Sequence, residues 1–441
     1  MTLESDILLE IKPNKRECKK IIASAKELQA LTEEYLVDNE IDAKVLFAGS
    51  IGKDTYLKDP DIDMFIMFPE ETSVKDMERL GIEVGMAILN GHKSFSEHPY
   101  ISGVFNGMEV DMVPCFAVAS AEKIKSSVDR TPFHAAYILE HSSPEMRDEM
   151  RLMKKFMKGI GTYGAEPNIR GFSGYLCEII TLYYGGFLNA LKAVAEWKEG
   201  VKLNFGNGEG NFSRVAMIFY DPVDGRRNVA SAVHVDTLSR FITAAKRYLE
   251  SPDRRFFFPN TREPFDEDTI RERLGIRGSS LISVTFKRPK VLDDILHSQI
   301  WKTEAAILKR LHHYGFDPLR SLHTVTNKEV IFVFELATNE LSETYVHEGP
   351  VPWVNNADNF LKVWANNPYG APFILDGRWR VIRKRPFRDA GMMIVKEATQ
   401  LGVGKDMITS TMTIRDHEET IEYVDRSILT ELLDPRYPWE N

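Results

Sequence analysis

Residues 44–68 read KVLFAGSIGKDTYLKDPDIDMFIMF, and this stretch decides the fold of the first part of the chain. A short apolar run of strand length ends at Gly49-Ser50, and a second, largely buried strand covers 61–68. A strand that runs into Gly-Ser makes a tight turn, whose exposed backbone N–H groups, with a helix N-terminus behind them, bind an anion such as phosphate. The Ser50 hydroxyl and the Lys53 ammonium add a donor and a charge to this predicted phosphate site.

Three carboxylates follow the turn. Asp61 and Asp63 are two apart on the second strand, so their side chains share one face. Two acids this close stay ionised together only with a cation between them, and Mg²⁺ binds both carboxylate and phosphate oxygens. Asn106-Gly107 between two β-prone runs predicts a hairpin, whose second arm carries Asp111. Three acids on adjacent strands suit a two-metal phosphoryl-transfer site.

A less specific interpretation of the same residues exists. A D-x-D pair is most often a solvated strand end or a turn, and Glu109 is an alternative partner that shares a face with Asp111. The combination of strand, Gly-Ser turn, short loop, D-x-D strand and hairpin aspartate is more specific than its parts. It is typical of the polymerase-β-type nucleotidyltransferase superfamily, so we favour Asp61, Asp63 and Asp111 as catalytic residues and metal ligands.

The rest of the chain divides by pattern. Apolar residues at helical spacing over 18–36 predict an amphipathic helix, and an α/β domain with mixed strands ends near residue 142. A helical region follows from Ser143-Pro144 to about residue 250. Beyond residue 280 the order strand, long helix, strand is βαβ-like and predicts a separate small α+β module.

Composition limits the function classes. The 441 residues suggest about three domains. Fifty-six basic against 65 acidic residues give a net charge of −9, which taken alone argues against a nucleic-acid partner. Three cysteines without a CxxC pair indicate reduced thiols, and no apolar run approaches the roughly 18 residues that span a bilayer. With no basic segment of the signal-peptide type at its start, we expect a cytoplasmic protein without a membrane partner.

The chain resembles the archaeal (class I) CCA-adding enzymes over essentially its full length. The stretches that carry the resemblance are Phe47–Ser50, Asp61–Asp63, Val110–Pro114, Arg130–His134, Gly171–Glu178 and Asp221–Val229. The first three fit many nucleotidyltransferases, including poly(A) polymerases. The runs Gly171–Glu178 and Asp221–Val229 narrow the resemblance to this family.

The resemblance implies a multidomain α+β protein: a nucleotidyltransferase head with a mixed β-sheet, a helical neck, an α/β body and a small α+β tail. The implied boundaries are 1–142 for the head, 143–257 for the neck, 258–287 with 377–441 for the body, and 288–376 for the tail. The implied activity is addition of C, C and A to the tRNA 3′ end from CTP and ATP, without a nucleic-acid template and with Mg²⁺ as cofactor. A homodimer is left open as an assembly.

The resemblance also assigns residues. Asp61, Asp63 and Asp111 become the metal ligands, and Asp111 helps accept the proton of the attacking 3′-hydroxyl. The family commonly has Glu as its first acid and Arg where Lys53 stands, so this chain departs from the pattern at both positions. Seven residues would bind the nucleotide: Ser50, Lys53, Thr131, His134, Lys154, Tyr163 and Arg227.

The residues themselves leave alternatives at these positions. Thr131-Pro132 predicts an N-cap and N1 pair, which places His134 in a first helical turn where anions are favoured. Lysines near Lys154 could serve equally, and Tyr163 could be an ordinary packing residue. Arg226 is a close alternative to Arg227 as the base reader, and a local ion-paired turn of both arginines with Asp224 is the competing interpretation.

A local run of basic residues offers a nucleic-acid contact despite the net charge of −9. Residues 378–388 hold six basic residues and no acid, with Trp379 and Phe387 interleaved, whereas residues 415–441 hold eight acids and three bases. Such a run is usually a solvated face, but interleaved aromatic residues suit RNA binding. The resemblance implies that tail and body hold the acceptor stem and TΨC arm of tRNA. The predicted tRNA-binding residues are Arg378, Arg380, Arg383, Lys384 and Arg385.

Two other functions remain. One is another template-independent RNA nucleotidyltransferase, such as a poly(A) polymerase or an oligoadenylate synthetase, because these share the acidic triad. The other is a non-catalytic RNA-binding protein with a vestigial transferase domain. Three intact carboxylates and the Gly-Ser turn argue against a vestigial domain.

Overall fold

The computed structural model describes residues 2–95, 98–397 and 402–441. The chain forms two compact units, the first covering Met1–Thr261 with Tyr437–Asn441 and the second covering Arg262–Arg436. Both units combine helices with sheets, so the predicted multidomain α+β class is confirmed. The finer division into head, neck, body and tail stays a prediction.

The first part of the first unit is a sheet with helices packed on it. Its elements are α1 (Leu3–Ile11), α2 (Lys15–Asp38), β1 (Lys44–Phe47), α3 (Gly49–Gly52), β2 (Ile62–Phe68), α4 (Val74–Leu89), β3 (His92–Phe95), β4 (Pro99–Phe105), β5 (Met108–Phe116) and α5 (Thr131–His141). The strand order is β1-β2-β5-β4-β3. Strands β2 and β5 are parallel and the other neighbours are antiparallel, so the predicted mixed sheet is confirmed.

Local sequence accounts for several of these elements. The predicted hairpin is confirmed, because Asn106 and Gly107 both have positive φ, of 50° and 80°, between β4 and β5. Helix α2 begins earlier than its apolar periodicity indicated, at Lys15, because Asn14 and Glu17 form a capping box. The apolar faces of α2 and α4 pack with β2 and β5 in one core.

The second part of the first unit is mainly helical. Its elements are α6 (Pro144–Gly159), α7 (Gly174–Tyr184), α8 (Phe187–Val194), β6 (Val201–Leu203), β7 (Met217–Phe219) and α9 (Val235–Glu250). Residues 437–441, which the implied boundaries assign to the body, pack within this unit. Trp439 is 5% exposed and stacks on Phe256 with ring centroids 5.3 Å apart. Phe256 in turn stacks on Phe156 of α6.

The second unit contains two sheets. Its elements are α10 (Glu267–Arg277), β8 (Ser280–Lys287), α11 (Asp293–Tyr314), β9 (Pro318–Val325), β10 (Glu329–Leu336), β11 (Thr344–Glu348), α12 (Ala357–Trp364), β12 (Phe373–Leu375), β13 (Arg378–Lys384), α13 (Ala390–Glu397), β14 (Met412–Arg415), α14 (His417–Tyr423) and α15 (Arg426–Leu433). The strand orders are β14-β8-β10-β9 and β11-β13-β12. All neighbours are antiparallel, so the βαβ-like order does not produce parallel strands here.

Among the described residues, no helix is both long and apolar enough to cross a membrane.

Candidate active site

Asp63 and Asp111 occupy paired positions on the parallel neighbours β2 and β5. The residues on either side of each aspartate are buried in the core, so the two carboxylates lie together on the other face of the sheet. Asp61 is exposed and immediately precedes β2, which begins one residue later than predicted. Glu109 is exposed and pairs with Val104 of β4. Asp111, and not Glu109, is therefore the acid beside Asp63.

The carboxylates repel one another. Burial and the Asp111 carboxylate raise the pKa of Asp63 to about 6, with Lys53 opposing the shift and Asp61 adding to it. Burial also raises the pKa of Asp111, against a hydrogen bond of 2.6 Å from Ser102 Oγ to Asp111 Oδ1 and with some repulsion from Asp61. Acids that raise one another's pKa in this way are relieved when a cation binds between them.

The donor set fits an open metal site. Within 2–95, 98–397 and 402–441, no three metal-ligating side chains are gathered into a ready-made cage. Mg²⁺ is usually held by one or two carboxylates together with waters and substrate phosphates, and does not require such a cage. Asp61, Asp63 and Asp111 offer hard oxygen donors of this kind beside the Gly-Ser turn. The residues therefore fit a divalent cation.

The Gly-Ser turn packs directly against Asp63. Gly49 has φ of +53°, and a Cβ added there would lie 1.6 Å from Asp63 Oδ2. The N–H of Ala48 donates to the Asp63 carbonyl over 2.9 Å, which ties the turn to β2. The helix expected behind the turn is α3, a single turn. The turn and the carboxylates thus form one surface, and only glycine fits at its closest point.

Two predicted nucleotide-binding lysines meet at a buried acid. Lys53 Nζ lies 2.6 Å from Glu178 Oε2 and Lys154 Nζ lies 2.5 Å from Glu178 Oε1. The hydroxyl of Thr55 also donates to Glu178 Oε1, over 2.6 Å. Burial acts to raise the pKa of Glu178, but the ammonium groups of Lys154 and Lys53 outweigh it and lower the pKa to about 2. Glu178 is therefore a carboxylate at neutral pH despite its complete burial.

A second buried acid organises His134 and Arg227. Asp221 Oδ2 lies 2.9 Å from His134 Nε2 and accepts a 2.8 Å hydrogen bond from Arg227 Nη1. Tyr175 donates to Asp221 Oδ1 over 3.2 Å, and its ring stacks on His134 with centroids 3.9 Å apart. Burial lowers the pKa of His134, with Asp221 opposing the shift. With Nε2 on Asp221, Nδ1 is the ring nitrogen of His134 left to face a ligand.

The neighbouring ion pairs partly match the competing interpretation. Arg226 Nε lies 3.5 Å from Asp224 Oδ1, and Arg130 Nε lies 3.0 Å from Asp224 Oδ2. Arg227 pairs with Asp221 and not with Asp224, so the two arginines do not form one local ion-paired turn.

The prediction that Thr131 caps helix α5 is wrong. The 3₁₀ turn that ends at Arg130 continues directly into α5, so Arg130 occupies the N-cap position.

Tyr163 lies close to the lysine pair. A Cβ added at Gly174 would meet Tyr163 Oη at 2.7 Å and Lys154 Cε at 3.7 Å. The ammonium of Lys158 lies 4.9 Å from the centroid of the Tyr163 ring. Burial raises the pKa of the Tyr163 phenol, so it stays a neutral hydrogen-bond donor. The structure thus brings Lys53, Lys154 and Tyr163 together.

Sequence reasoning missed the two acids that hold the basic residues. Glu178 and Asp221 each belong to a stretch that carries the family resemblance, but neither was assigned a role. One signal was available for Glu178, since it interrupts the otherwise apolar helical run Tyr175–Ile180. A lone acid among buried helix positions requires a charged or polar partner. Asp221 carried no comparable signal, because acids followed by proline are common at turns.

The basic run 378–388 lies in the second unit, where most of its charge is paired. Carboxylates from other stretches lie within 4.0 Å of four of its residues, as follows: Arg378 with Glu348, Arg380 with Glu348 and Asp376, Lys384 with Glu343, and Arg388 with Glu340 and Glu343. Most of the positive charge of this run is therefore offset by carboxylates close to it, and its role in tRNA binding stays a prediction. Arg383 and Arg385 have no ion pair with any described residue, and both guanidinium groups lie over the Tyr345 ring.

Family profiles and curated relatives match this chain along most of its length. Family profiles match residues 28–134 as a nucleotidyltransferase domain, 148–258 as the second domain of tRNA nucleotidyltransferase, and 277–416 as the C-terminal domain of CCA-adding enzymes. The CCA-adding enzyme of Methanosarcina acetivorans is 33% identical over 99% of this chain and 96% of its own. That of Halobacterium salinarum is 34% identical over 96% and 94%, and that of Archaeoglobus fulgidus is 35% identical over 79% and 79%.

Among solved structures, Escherichia coli MS115-1 CdnC with ATP is 20% identical and covers 58% of this chain and 92% of its own, with a TM-score of 0.46. The family assignment rests on the sequence relatives, which match at more than 30% identity over nearly the whole chain. The chain belongs to the archaeal, class I family of CCA-adding enzymes, the tRNA nucleotidyltransferases that add C, C and A to tRNA without a nucleic-acid template.

Proposed function

We propose that Asp61, Asp63 and Asp111 form the catalytic centre of CCA addition and hold Mg²⁺. The observation that carries this proposal is the paired register of Asp63 and Asp111 on parallel strands, with the Gly49 turn against Asp63. Bound Mg²⁺ would supply charge neutralisation at the α-phosphate and at the departing pyrophosphate. The mutual repulsion of the carboxylates supports the choice of a divalent cation.

Asp111 would accept the proton of the attacking tRNA 3′-hydroxyl. The Ser102 hydroxyl donates to Asp111 Oδ1 over 2.6 Å, which orients this carboxylate and leaves Oδ2 without a hydrogen bond to a described residue. The hydroxyl oxygen then attacks the α-phosphorus of CTP or ATP in line, and pyrophosphate leaves.

The nucleotide would lie between the Gly-Ser turn and the two acid-centred clusters. Backbone N–H groups and the Ser50 hydroxyl would contact the triphosphate at the turn. The Glu178 cluster contributes Lys53 and Lys154, with Tyr163 as a neutral donor. Thr131 at the start of α5 and His134, through Nδ1, would contact phosphate or ribose oxygens.

Arg227 would read the base of CTP or ATP. Asp221 holds one nitrogen of its guanidinium, which fixes the plane of the fork. Arg226 is more exposed and makes only a long contact with Asp224, which supports Arg227 over Arg226. In this family one pocket, formed by protein and tRNA together, would serve both bases.

The second unit would bind the tRNA, at the acceptor stem and the TΨC arm. Within 378–388, we assign the main phosphate contacts to Arg383 and Arg385, since the charges of Arg378, Arg380 and Lys384 are already offset by carboxylates. The four-domain division is a proposal carried over from the family, a cytoplasmic location is a proposal from the sequence composition, and a homodimer is a further proposal. Light scattering of the purified chain tests the last of these.

The direct test incubates a tRNA that lacks its CCA end with Mg²⁺ and labelled CTP and ATP. We expect three additions, C, C and A, and then a stop. A homopolymeric A tail would instead identify a poly(A) polymerase. Binding of the tRNA without incorporation would identify a non-catalytic RNA-binding protein.

A further inference from the structure

Glu178 is a fully buried carboxylate, and it and its partners come from three separate segments. It lies on α7, Lys154 lies on α6, and Lys53 with Thr55 lies in the loop that leads from the Gly-Ser turn to Asp61. Lys53 and Lys154 are themselves 7% and 3% exposed. A cluster of three charges removed from water is costly to form, so it persists only where its geometry satisfies every member.

The two lysines differ in how many of their N–H groups already have a partner. Lys154 Nζ donates to Glu178 Oε1, to Thr55 Oγ1 over 2.8 Å and to the Thr55 carbonyl over 3.3 Å, which uses all three of its N–H groups. Lys53 Nζ donates to Glu178 Oε2, and its remaining contact in the described residues is the Tyr175 ring, 5.6 Å from the ring centroid. Lys53 therefore keeps N–H groups for a ligand, whereas Lys154 is anchored.

The charges of the cluster do not cancel. Two ammonium groups and one carboxylate leave a single positive charge, held beside the acids of the catalytic centre. Lys53 directly follows the Gly49–Gly52 turn, and Gly49 of that turn packs against Asp63, so this positive charge lies in the segment next to the catalytic acids. Without Glu178, two buried ammonium groups would face each other with no counter-charge. One of them would then move away or lose its proton.

We infer that Glu178 is the positioning residue of the triphosphate site: it holds Lys154 as an anchored charge and aims the free N–H groups of Lys53 at the phosphates. This inference rests on the proposed nucleotide site. It also explains how a lysine serves where the family commonly has arginine. An arginine fork is fixed by its own planarity, whereas a flexible lysine ammonium needs an external acceptor to fix it.

A purely structural role makes a different prediction. If Glu178 only joins α7 to its neighbours, its removal lowers the melting temperature and leaves nucleotide use unchanged in the folded fraction. If it positions the lysines, the KM for nucleotide rises as well. Glu335 supplies the matched control, because it is a buried glutamate of the second unit whose partners, Arg277 and Ser279, belong to that unit too.

The experiment measures single-nucleotide addition to truncated tRNA by the full-length chain and its Glu178→Gln and Glu335→Gln variants. We expect Glu178→Gln to raise the KM for CTP and for ATP about tenfold each, with the KM for tRNA unchanged. Glu335→Gln is expected to lower the melting temperature and to leave all KM values unchanged. An unaltered nucleotide KM in Glu178→Gln would overturn the inference, whereas an inactive wild-type chain would overturn the proposed function instead.

A double-mutant cycle tests whether Glu178 acts through Lys53. In a Lys53→Met background the Glu178→Gln substitution is expected to raise the nucleotide KM by less than about threefold, because the group that it aims is gone. A full tenfold rise in that background would contradict the positioning role. If Glu178→Gln does not fold, Thr55→Val decides: loss of its hydroxyl is expected to raise nucleotide KM about threefold, and no rise would overturn the inference.

Discussion

Asp63 and Asp111 face each other across the parallel strand pair of the first unit's five-stranded sheet. Parallel pairing puts both side chains on the same face at the same height, so neither can turn away from the other within its strand. Asp61, at the end of the loop before β2, is the third acid and is free of strand constraints. The backbone positions of Asp63 and Asp111 are therefore fixed by strand pairing, whereas that of Asp61 is not.

Asp111 and Glu109 give a first prediction. Both lie on β5, but only Asp111 is paired with Asp63 of β2. Asp111→Asn is expected to lower nucleotide incorporation by at least about a hundredfold while tRNA binding persists. Glu109→Gln, at the exposed start of the strand, is expected to leave incorporation unchanged. Removal of divalent metal with EDTA should stop the wild-type reaction, and added Mg²⁺ should restore it. Incorporation that survives both Asp111→Asn and EDTA would rule out this catalytic centre.

Gly49 gives a second prediction. A methyl group at this position would overlap the Asp63 carboxylate, so Gly49→Ala is expected to lower kcat by more than about a hundredfold. Gly107 is the control, since it also has positive φ but, its two chain neighbours aside, no heavy atom of the described residues lies within 4 Å of where its methyl group would stand. Gly107→Ala should cost about 1 kcal/mol of stability through strain in the hairpin turn and leave kcat unchanged. Equal kcat values for the two variants would show that the turn does not support Asp63.

Arg226 and Arg227 give a third prediction. Arg227→Gln is expected to raise the KM for CTP and ATP by about tenfold or more, because a guanidinium fork held by Asp221 is lost. Arg226→Gln is expected to change these values by less than about threefold, since its side chain makes only a 3.5 Å contact with Asp224. Steady-state kinetics on both variants checks the difference. A larger effect of Arg226→Gln would reverse the assignment of the base reader.

The basic run gives a fourth prediction, concerning the salt dependence of tRNA binding. Replacing Arg383 and Arg385 with glutamine should reduce the slope of log K against log salt by about 0.7–0.9 for each lost phosphate contact. The matched double variant Arg378→Gln with Arg388→Gln removes two charges that are already paired, and its slope should stay near the wild-type value. Filter binding over a salt series measures both slopes. Identical slopes in all three proteins would remove 378–388 from the tRNA interface.

Glu178 gives a fifth prediction, concerning stability against pH. Its pKa in the folded chain is about 2, against an ordinary value of 4.5. A lowered pKa means that the unfolded chain binds more protons between these values, so stability is present above pH 4.5 and is lost as the pH falls toward 2. Urea unfolding should show a steeper fall for the wild type than for Glu178→Gln, which has no proton to gain. Glu178→Gln should also be less stable at pH 7, by about 3 kcal/mol.

A parallel loss of stability in both proteins on acidification would contradict that fifth prediction. Other acids titrate in the same range, but they are common to both proteins and cancel in the comparison. The difference between the two curves therefore reports the titration of Glu178.

Local sequence chemistry predicted the frame of the site. The Gly49-Ser50 turn, the D-x-D strand and the Asn106-Gly107 hairpin are each set by residues within a few positions of one another, and the mixed sheet followed from them. Asp111 was chosen because the strand, the Gly-Ser turn, the D-x-D strand and a hairpin aspartate together form a typical pattern. Two-residue periodicity puts Glu109 on the same face as Asp111, so Glu109 was excluded only by the strand register.

The partners of the basic residues could not be predicted in the same way. Glu178 is 125 positions from Lys53, and Asp221 is 87 positions from His134. Such pairs depend on how helices pack after the chain has folded, and a single sequence carries no periodic signal for them. The acids that pair with the run 378–388 were not predicted for a related reason, because they lie on β11, in the residues just before it, and in the turn before β13.

The stacking of Trp439 on Phe256 has a consequence for the order of synthesis. Residues 437–441 are translated only after the whole of 262–436, yet their indole and ring contacts belong to the first unit. The aromatic cluster around Phe256 therefore stays incomplete on the ribosome while the second unit emerges. A nascent chain cannot complete the core of its first unit before its second unit has been made, so an interrupted translation product lacks part of that core.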